Sequence, residues 1–392
     1  MNGNGGCWVL KKSGILKGAV IFFAAIGLLL TLSAGYLFVA HKSTLGSLVN
    51  LTLLLKTQAL NPVDTSTLIQ GAMRGMVNSL EDPYSTYLNR QEFEDLTIRI
   101  QASFGGIGVV VGADEENRFR VVAPMKGTPA ERAGIKSRDI ILRINGEPTR
   151  GMSLDEAVEL MRGEPGTQVD IGIYREGDKR EYNFRLTREV INVPSVESRM
   201  LEGKPRIGYL HLLQFSATSP REVEKTLKGF LDKGARGLIL DLRDNPGGDF
   251  DAALKIADIF LDKGTIVKVA DHKGDEVVHQ ASPPALDLPM VVLVNQGSAS
   301  SSEILAGALQ DHHVAPLVGQ KTFGKGLVQT VYPLVGGDAL KLTTDKYFTP
   351  DGTDINQIGI VPDYTVPNSN GGKTDPQFER ARELLEQRIS SK

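Results

Sequence analysis

Serine hydroxyls cluster in a short turn whose place in the sequence suits a nucleophile. Residues 290–294 form an apolar run typical of a buried strand, and residues 303–310 carry apolar side chains at helical spacing. The turn between them contains Ser298, Ser300, Ser301 and Ser302. A hydroxyl at a helix start lies near unpaired backbone N–H groups, which can stabilise an oxyanion. Serine is also the preferred helix cap, so this pattern leaves all four serines and both roles open.

A catalytic serine needs a base, and Lys325 is the strongest candidate in this sequence. His312 and His313 lie about twelve residues beyond Ser300 on one predicted helix, which places them about 18 Å away and out of hydrogen-bond reach. Lys325 lies between two glycines, which remove side-chain cover. It would act as a base only when neutral, which requires burial to lower its pKa by about 3 units. Gln329, four residues later, would share a strand face with Lys325 and could hold the amine without adding charge.

Three motifs resemble the C-terminal processing peptidases, which are also called tail-specific proteases. They are Gly-Ser-Ala-Ser-Ser-Ser-Glu-Ile at 297–304, Gly-Gln-Lys-Thr-Phe-Gly-Lys-Gly-Leu-Val-Gln at 319–329 and Asp-Leu-Arg-Asp-Asn-Pro-Gly-Gly at 241–248. The resemblance implies a serine endopeptidase that works through an acyl-enzyme, without a metal or cofactor. In it Ser300 is the nucleophile, Lys325 the base and Gln329 the support of the base. Ser301 stands where the family usually has alanine, so the choice of Ser300 among its neighbours rests on the resemblance.

The loop that follows a second predicted strand is the candidate for the rest of the site. It ends in Asn-Pro-Gly-Gly, and glycines let backbone N–H groups converge on one point. We assign the oxyanion hole to the N–H groups of Gly247 and Ser301, with Gly248 as the neighbour that could replace Gly247. Asp241 and Arg243 could be taken for a catalytic pair. We interpret them as structural, because the Ser-Lys dyad that the resemblance implies leaves a carboxylate there without a role.

A further resemblance, to PDZ domains, covers about residues 96–188. Gly105-Gly-Ile-Gly-Val109 is similar to the PDZ carboxylate-binding loop, and residues 129–135, 139–146 and 153–161 follow in PDZ order. Backbone N–H groups of such a loop can capture a terminal carboxylate while the adjacent strand edge pairs with the peptide. The candidate peptide-binding residues are Gly106, Ile107, Gly108 and Val109. The expected ligands are protein C-termini with apolar residues, and the alternative is a glycine turn inside an ordinary barrel.

Arg162 ends the helix that is predicted over residues 153–161. Gated proteases of the resembled family use polar contacts of the PDZ domain to couple peptide binding to activity, which makes Arg162 a regulatory candidate. A solvated arginine at a helix C-terminus, where the helix dipole favours a cation, is the simpler interpretation.

Residues 18–40 are uncharged and mostly apolar. At 1.5 Å per helical residue they would extend about 35 Å, more than the hydrocarbon core of about 30 Å. Lys11, Lys12 and Lys17 precede them, so the positive-inside rule keeps the short N-terminus in the cytoplasm. The sequence therefore predicts one transmembrane helix in the inner (cytoplasmic) membrane, with the catalytic part on the periplasmic or extracytoplasmic side. A cleaved signal peptide is the alternative, although residues 32–34 make a poor cleavage site.

The resemblance implies an α/β crotonase-like protease core with an inserted, mostly β PDZ domain, and the alternation of predicted strands and helices after residue 188 agrees with it. To these the sequence adds an N-terminal helical segment and one transmembrane helix. Its 392 residues provide enough core for several domains. The predicted domains are residues 1–42 for the N-terminus and anchor, 43–95 for the helical region, 96–188 for the PDZ domain and 189–392 for the Ser/Lys protease core.

Composition limits the partners of this chain. A net charge of −3 and a charged fraction of 23% give no sign of nucleic-acid binding, and a single cysteine, Cys7, excludes a multi-cysteine metal site. Candidate partners are protein or peptide substrates with apolar C-termini, a membrane bound through residues 18–40, further copies in a homodimer or higher oligomer, and an adaptor. Two alternatives to a protease stay open, a catalytically silent PDZ scaffold that binds C-termini and a crotonase-like acyl-transferring enzyme.

Overall fold

The computed structural model describes residues 20–32, 42–61, 63–368 and 374–391. The chain forms two compact units, Met1–Glu81 and Asp82–Lys392. In the first unit the described elements are helices α1 (residues 20–32), α2 (Lys42–Gln58) and α3 (Thr65–Asn78). Asp64 caps α3, because its carboxylate accepts a 2.8 Å hydrogen bond from the Thr67 N–H.

The predicted membrane span over residues 18–40 needs correction. Within the described ranges, no helix has both the length and the apolar character that a bilayer crossing requires. Residues 18, 19 and 33–40 of the predicted span lie outside the described residues. The prediction of one transmembrane helix, and the inner-membrane placement that rested on it, are therefore wrong for the described part of the chain.

The second unit begins with a short strand and a capped helix and continues into a mostly β domain. Up to residue 192 its elements are β1 (Thr86–Leu88), α4 (Arg90–Gln101), β2 (Ser103–Gly106), β3 (Val109–Ala113), β4 (Phe119–Pro124), α5 (Pro129–Arg132), β5 (Ile140–Ile144), β6 (Glu147–Pro148), α6 (Leu154–Met161), β7 (Gln168–Arg175), β8 (Arg180–Thr187) and β9 (Glu189–Asn192). Strands β3, β4, β5, β7 and β8 form one antiparallel sheet, with β6 on β5. Strands β2 and β9 pair separately, at the two ends of this domain.

The remaining elements alternate between strands and helices. They are β10 (Val196–Met200), β11 (Ile207–Leu212), α7 (Ser219–Asp232), β12 (Gly237–Asp241), α8 (Phe250–Phe260), β13 (Gly264–Asp271), β14 (Glu276–Ala281), β15 (Met290–Val294), α9 (Ser301–Asp311), β16 (Leu317–Gly319), β17 (Leu327–Pro333), β18 (Ala339–Phe348), β19 (Tyr364–Thr365) and α10 (Pro376–Ser390). The predicted α/β core and the mostly β domain are thus both observed. The predicted domain boundaries stay predictions.

A six-stranded sheet forms the centre of the α/β core, in the order β10-β11-β12-β15-β16-β19. Strand β10 is antiparallel to β11, and the other neighbours are parallel. Strands β12 and β15 are buried at every position, as expected for parallel strands covered on both faces. Leu238 and Leu240 pack in the cluster that includes α7, α8 and α9, whereas Ile239 packs with Leu385 of α10. The carboxyl ends of β12 and β15, where open α/β sheets bind ligands, carry the loop 242–249 and the turn 295–300.

A second sheet contains the strands that follow Lys325. Its order is β1-β18-β13-β14, and β17 also pairs with β18. Strands β17 and β18 form an antiparallel hairpin with an irregular register between Val328 and Gln329. Strand β1 pairs with β18 from Thr86 to Leu88, so the segment just after Glu81 lies on the same hairpin.

Candidate active site

Ser300 occupies the last position of the turn between β15 and α9. Its φ of +55° and ψ of −117° are values that residues other than glycine rarely adopt, and such a conformation costs about 1–3 kcal/mol. Contacts on either side hold the turn, since the Asn295 N–H donates to Ser298 Oγ and the Phe323 N–H donates to the Ser298 carbonyl, both at 3.0 Å. The fold therefore maintains a strained backbone at Ser300, which the sequence pattern did not predict.

The hydroxyl groups of the four serines have different partners. Ser298 Oγ donates to the Leu242 carbonyl at 2.7 Å, Ser302 Oγ to the Asn245 carbonyl at 2.9 Å and Ser301 Oγ to the Gly248 carbonyl at 3.1 Å. These three serines are buried, whereas Ser300 is partly exposed. Ser300 Oγ faces the Glu303 N–H in a capping box, and among the described residues no group accepts a hydrogen bond from it. Of the four hydroxyl groups, that of Ser300 is therefore the one that donates to no backbone carbonyl of the described chain.

Glu303 joins the Ser300 turn to the Lys325 loop. Its carboxylate is fully buried, and Oε2 accepts the Ser300 N–H and the Lys325 N–H, each at 2.9 Å. Oε1 accepts the Thr322 hydroxyl at 2.6 Å and the Gly324 N–H at 2.8 Å. Sequence reasoning gave Glu303 no role, although Ser300-x-x-Glu303 has the spacing of a capping box, in which the Glu side chain reaches back to the N–H of the cap residue.

We expect Glu303→Gln to destabilise the fold by about 2–5 kcal/mol. One carboxylate oxygen becomes an NH₂ group, so two buried donors lose their acceptor, at about 1–3 kcal/mol each. Chemical denaturation of the purified chain measures this difference in the free energy of unfolding. Glu224→Gln, on an exposed position of α7, is the matched control and should stay within about 0.5 kcal/mol of the parent. Equal effects of the two substitutions would contradict the assigned role of Glu303.

Tyr347 provides a second connection between the same two segments. This residue near the end of β18 is buried, and its hydroxyl lies within hydrogen-bond distance of the Ser300 carbonyl, at 3.1 Å, and of the Lys325 carbonyl. Burial raises the pKa of this phenol well above its usual value, which keeps the hydroxyl protonated and able to donate. The backbones of Ser300 and Lys325 are thus held from two sides, by Glu303 and by Tyr347.

Lys325 lies in the loop before β17 and is partly buried. Burial, assisted by the nearby ammonium of Lys341, lowers the pKa of Lys325 below its ordinary value, and the carboxylates of Asp82 and Glu303 oppose this shift. The ammonium Nζ lies 5.0 Å from the centroid of the Tyr84 ring. In the part of the chain that the structure describes, Nζ makes no hydrogen bond to Ser300 Oγ. The direction of the pKa shift suits a base, and the side chain contacts an aromatic ring.

The structure does not bring the Gln329 side chain to Lys325 Nζ. Gln329 Nε2 donates to the Leu327 carbonyl at 3.3 Å and lies 3.5 Å from Thr343 Oγ1. The prediction that Lys325 and Gln329 share a strand face required both residues to lie on one regular strand. Strand β17 begins only at Leu327, and its pairing is irregular just before Gln329.

The loop 242–249 lies against the serine turn. A Cβ placed on Gly247, which has a φ of +93°, would lie 2.9 Å from both Ser300 Cβ and the Ser301 nitrogen. The Gly247 N–H, however, donates to Asn245 Oδ1 at 2.9 Å. The N–H groups of exposed Gly248 and of Ser301 have no acceptor among the residues described. These two N–H groups are therefore the available donors, and Gly248 fits the predicted role better than Gly247.

Asp241 and Arg243 make structural contacts. Buried Asp241 accepts hydrogen bonds from the Arg243 guanidinium and, at 2.7 Å, from the Tyr209 hydroxyl. Arg243 also reaches Asp375 and Gln377, at 2.8 and 3.1 Å, at the start of α10. The pair thus fixes the end of β12 and the start of the loop 242–249 against the last helix.

Comparison with known proteins extends this description. Family models match residues 206–366 as peptidase family S41, residues 120–175 as a PDZ domain and residues 40–92 as the N-terminal domain of the activating protease CtpB. The carboxyl-terminal-processing protease of Synechocystis is 39% identical over 80% of this chain and 76% of its own length. The chain belongs to peptidase family S41. The predicted resemblance is confirmed. Because it is a protease with a PDZ domain, the S41 peptidase acts on proteins or peptides.

Other relatives of the S41 peptidase are also named carboxy-terminal processing proteases. The carboxy-terminal-processing protease of Bartonella bacilliformis is 41% identical, over 79% of this chain and 72% of its own length. Carboxy-terminal processing protease CtpA of Bacillus subtilis is 39% identical over 79% of this chain and 66% of its own. The solved structure of a photosystem II D1 C-terminal processing protease is 30% identical and has a TM-score of 0.49, over 83% of this chain and 88% of that one.

The glycine loop of the PDZ domain has two backbone donors that find no partner in the described part of the chain. The N–H groups of Ile107 and Gly108 have no acceptor within the described ranges. The carbonyls are engaged, since the Ala130 N–H donates to Ile107 at 3.0 Å and the Met125 N–H donates to Gly108 at 2.9 Å. Gly106 and Val109 flank this pair as the last residue of β2 and the first of β3. The loop of the S41 peptidase thus has the N–H groups that carboxylate binding requires.

Arg162 of the S41 peptidase makes defined contacts outside its own helix. Its guanidinium pairs with Asp95 of α4 at 2.9 Å and lies 5.2 Å from the centroid of the Phe104 ring in β2. An arginine that was merely solvated at the end of α6 would not make these contacts. Arg162 therefore links the end of the PDZ helix to the helix that precedes the domain. Its regulatory role stays a prediction.

Proposed function

We propose that this S41 peptidase is an endopeptidase in which Ser300 is the nucleophile and Lys325 the base, and that its PDZ domain selects protein C-termini. The observation that carries the proposal is the Ser300 hydroxyl at a strained turn, which donates to no group among the described residues and lies next to two backbone N–H groups that have no acceptor there. A partly buried lysine with a lowered pKa lies in the loop that Glu303 joins to this turn. The names of the relatives, carboxyl-terminal-processing proteases, support the same substrate class.

The proposed reaction uses these groups in order. Ser300 Oγ attacks the carbonyl carbon of the scissile bond, and its proton passes to the neutral amine of Lys325. The N–H groups of Gly248 and Ser301 stabilise the negative charge that forms on the substrate oxygen. Lys325 returns the proton to the leaving amine as the C–N bond breaks, which leaves an ester on Ser300. Water then hydrolyses this ester, and the enzyme is restored.

A serine-reactive fluorophosphonate tests the proposal directly. The full chain is incubated with the probe and with an unstructured polypeptide that has an apolar C-terminus. The modified residue is located by peptide mass spectrometry, and the cleavage products are sequenced. We expect modification at Ser300 and internal cleavage that the probe abolishes. Modification at another serine would contradict the assignment of Ser300 as the nucleophile. Binding of the C-terminal tail without cleavage or labelling would favour the catalytically silent PDZ scaffold.

Tail selection predicts a specific effect of Gly108→Ala. A Cβ at Gly108, where φ is +75°, would overlap the Thr128 side chain, with Oγ1 only 2.7 Å away, so the loop must shift. We expect kcat/KM to fall about tenfold or more, a cost of about 1.4 kcal/mol, for a polypeptide with an apolar C-terminus. A short peptide that lacks this tail should be cleaved at an unchanged rate.

Gly127→Ala is the matched control for Gly108→Ala. Gly127 also has a positive φ, +76°, but a Cβ there meets nothing within 4 Å. Both variants therefore carry the same backbone strain, about 1 kcal/mol, and only Gly108→Ala disturbs the loop. Equal losses in the two variants, or a loss that does not depend on the tail, would count against tail recognition at this loop.

A further inference from the structure

Tyr84 is the aromatic neighbour of the proposed base. Lys325 Nζ lies 5.0 Å from the Tyr84 ring centroid, within the distance at which a ring face attracts a cation. In the described parts of the chain, no carboxylate, amide or hydroxyl accepts a hydrogen bond from Nζ. The ring thus contacts the ammonium directly, whereas the carboxylates of Asp82 and Glu303 act on it without a hydrogen bond among the described residues.

The position of Tyr84 is fixed by hydrogen bonds to the hairpin β17–β18. Its backbone N–H donates to Asp82 Oδ1 at 3.0 Å, and the Ser85 hydroxyl donates to the other oxygen of Asp82. The Ser85 hydroxyl also accepts the Thr343 N–H of β18 at 3.0 Å. Residues 86–88 then pair with β18 as strand β1. A displacement of this segment from the hairpin would therefore change the distance between the ring and Lys325.

Charged groups around Lys325 act in both directions. Lys341 on β18 disfavours the ammonium, as burial does, whereas Asp82 before β1 and Glu303 on α9 favour it. Tyr347, whose phenol stays protonated, adds no charge. Tyr84 differs from all of these because its ring attracts the ammonium but not the neutral amine, and it carries no charge of its own. Tyr84 therefore stabilises the form of Lys325 that cannot act as a base.

We propose that Tyr84 is a positioning residue that favours the protonated form of Lys325 and holds its side chain out of hydrogen-bond contact with Ser300. The proposal rests on the proposed role of Lys325 as the base. It explains why the nucleophile and the lysine are joined through their backbones in this structure while their side chains make no hydrogen bond.

Titration of Lys325 tests the proposal without requiring activity. The full chain with Ser300→Ala is labelled with ¹⁵N-lysine, and the Lys325 Nζ signal is identified by its loss in Lys325→Met. We expect Tyr84→Leu to lower the titration midpoint by about 0.4–1.5 pH units, because the ring no longer favours the ammonium. Tyr84→Phe keeps the ring, so its Lys325 midpoint should equal that of the Ser300→Ala parent. Tyr84→Trp, a stronger cation–π partner, should raise the midpoint.

Activity gives a second and independent measurement. In the chain with Ser300 intact, the acidic limb of the pH profile of kcat/KM should move to lower pH in Tyr84→Leu and stay in place in Tyr84→Phe. A purely structural role would lower activity at every pH without moving the limb. A Tyr84→Leu midpoint that is unchanged or raised in the Ser300→Ala chain, while the chain with Ser300 intact cleaves, overturns the Tyr84 proposal alone. A lowered midpoint in a chain that cleaves nothing supports the Tyr84 contact and overturns the proposed function.

Discussion

Ser300→Ala is expected to reduce peptide-bond hydrolysis by about 10⁴- to 10⁶-fold, the range seen when a catalytic serine is removed. The substitution deletes the hydroxyl but leaves the backbone hydrogen bonds of the turn in place, including those of the Ser300 N–H to Glu303 and of the Tyr347 hydroxyl to the Ser300 carbonyl. The free energy of unfolding should therefore stay within about 0.5 kcal/mol of the parent. Cleavage of the unstructured polypeptide and chemical denaturation measure the two quantities on the same preparation.

Ser302→Ala is the control that separates the nucleophile from its neighbours. Its hydroxyl is buried and donates to the Asn245 carbonyl at 2.9 Å. Its removal should cost about 1 kcal/mol of stability and leave hydrolysis within about tenfold of the parent. The two variants should thus show opposite patterns, one losing activity without stability and the other losing stability without activity. If Ser302→Ala were inactive and Ser300→Ala active, Ser302 and not Ser300 would be the nucleophile.

Lys325→Met is expected to reduce hydrolysis by about 10²- to 10⁴-fold at neutral pH, the usual contribution of a general base. Methionine fills a similar volume but has no amine to take the serine proton. Lys325→Arg refines the test, since a guanidinium keeps the charge and does not deprotonate in proteins. Both variants should be inactive if Lys325 acts as a base, and kcat/KM across a range of pH measures this.

Lys321→Met is the matched control for the lysine. Lys321 lies four residues earlier in the same loop and is exposed. Loss of this charge should leave kcat/KM within about twofold, the scale of a surface interaction below about 0.5 kcal/mol. An active Lys325→Arg would show that the positive charge matters and proton transfer does not.

The sequence predicted the parts of this molecule that depend on neighbouring residues. The buried strand over 290–294 is observed as Met290–Val294, and the helix predicted over 303–310 is observed as Ser301–Asp311. Both follow from local patterns, a continuous apolar run and a helical repeat. The glycine loop of the PDZ domain follows from local pattern too. Among the described residues the N–H groups of Ile107 and Gly108 have no acceptor, and their role in peptide binding stays a prediction.

Residues that act across long sequence separations could not be predicted in the same way. Tyr84 lies in the turn before β1 and Tyr347 lies on β18, and nothing in the local sequence of either residue indicates that it contacts the Lys325 loop. Gln329 was misplaced because its side-chain direction depends on where β17 begins and on an irregular pairing. Gly247 has the predicted position, but the partner of its N–H is the side chain of Asn245, which a glycine pattern does not show.

The bond between Ser85 and Thr343 spans 258 residues of sequence. At a synthesis rate of about 5–20 residues per second, the segment 82–88 waits about 10–50 seconds on the ribosome before the strand that completes its sheet exists. Ser300 is made in that interval, and so is the PDZ domain that would deliver a tail to it. A nascent chain in this period contains Ser300, the proposed nucleophile, without Tyr347, which contacts its carbonyl. The proposed centre can therefore assemble only after β18 has been made.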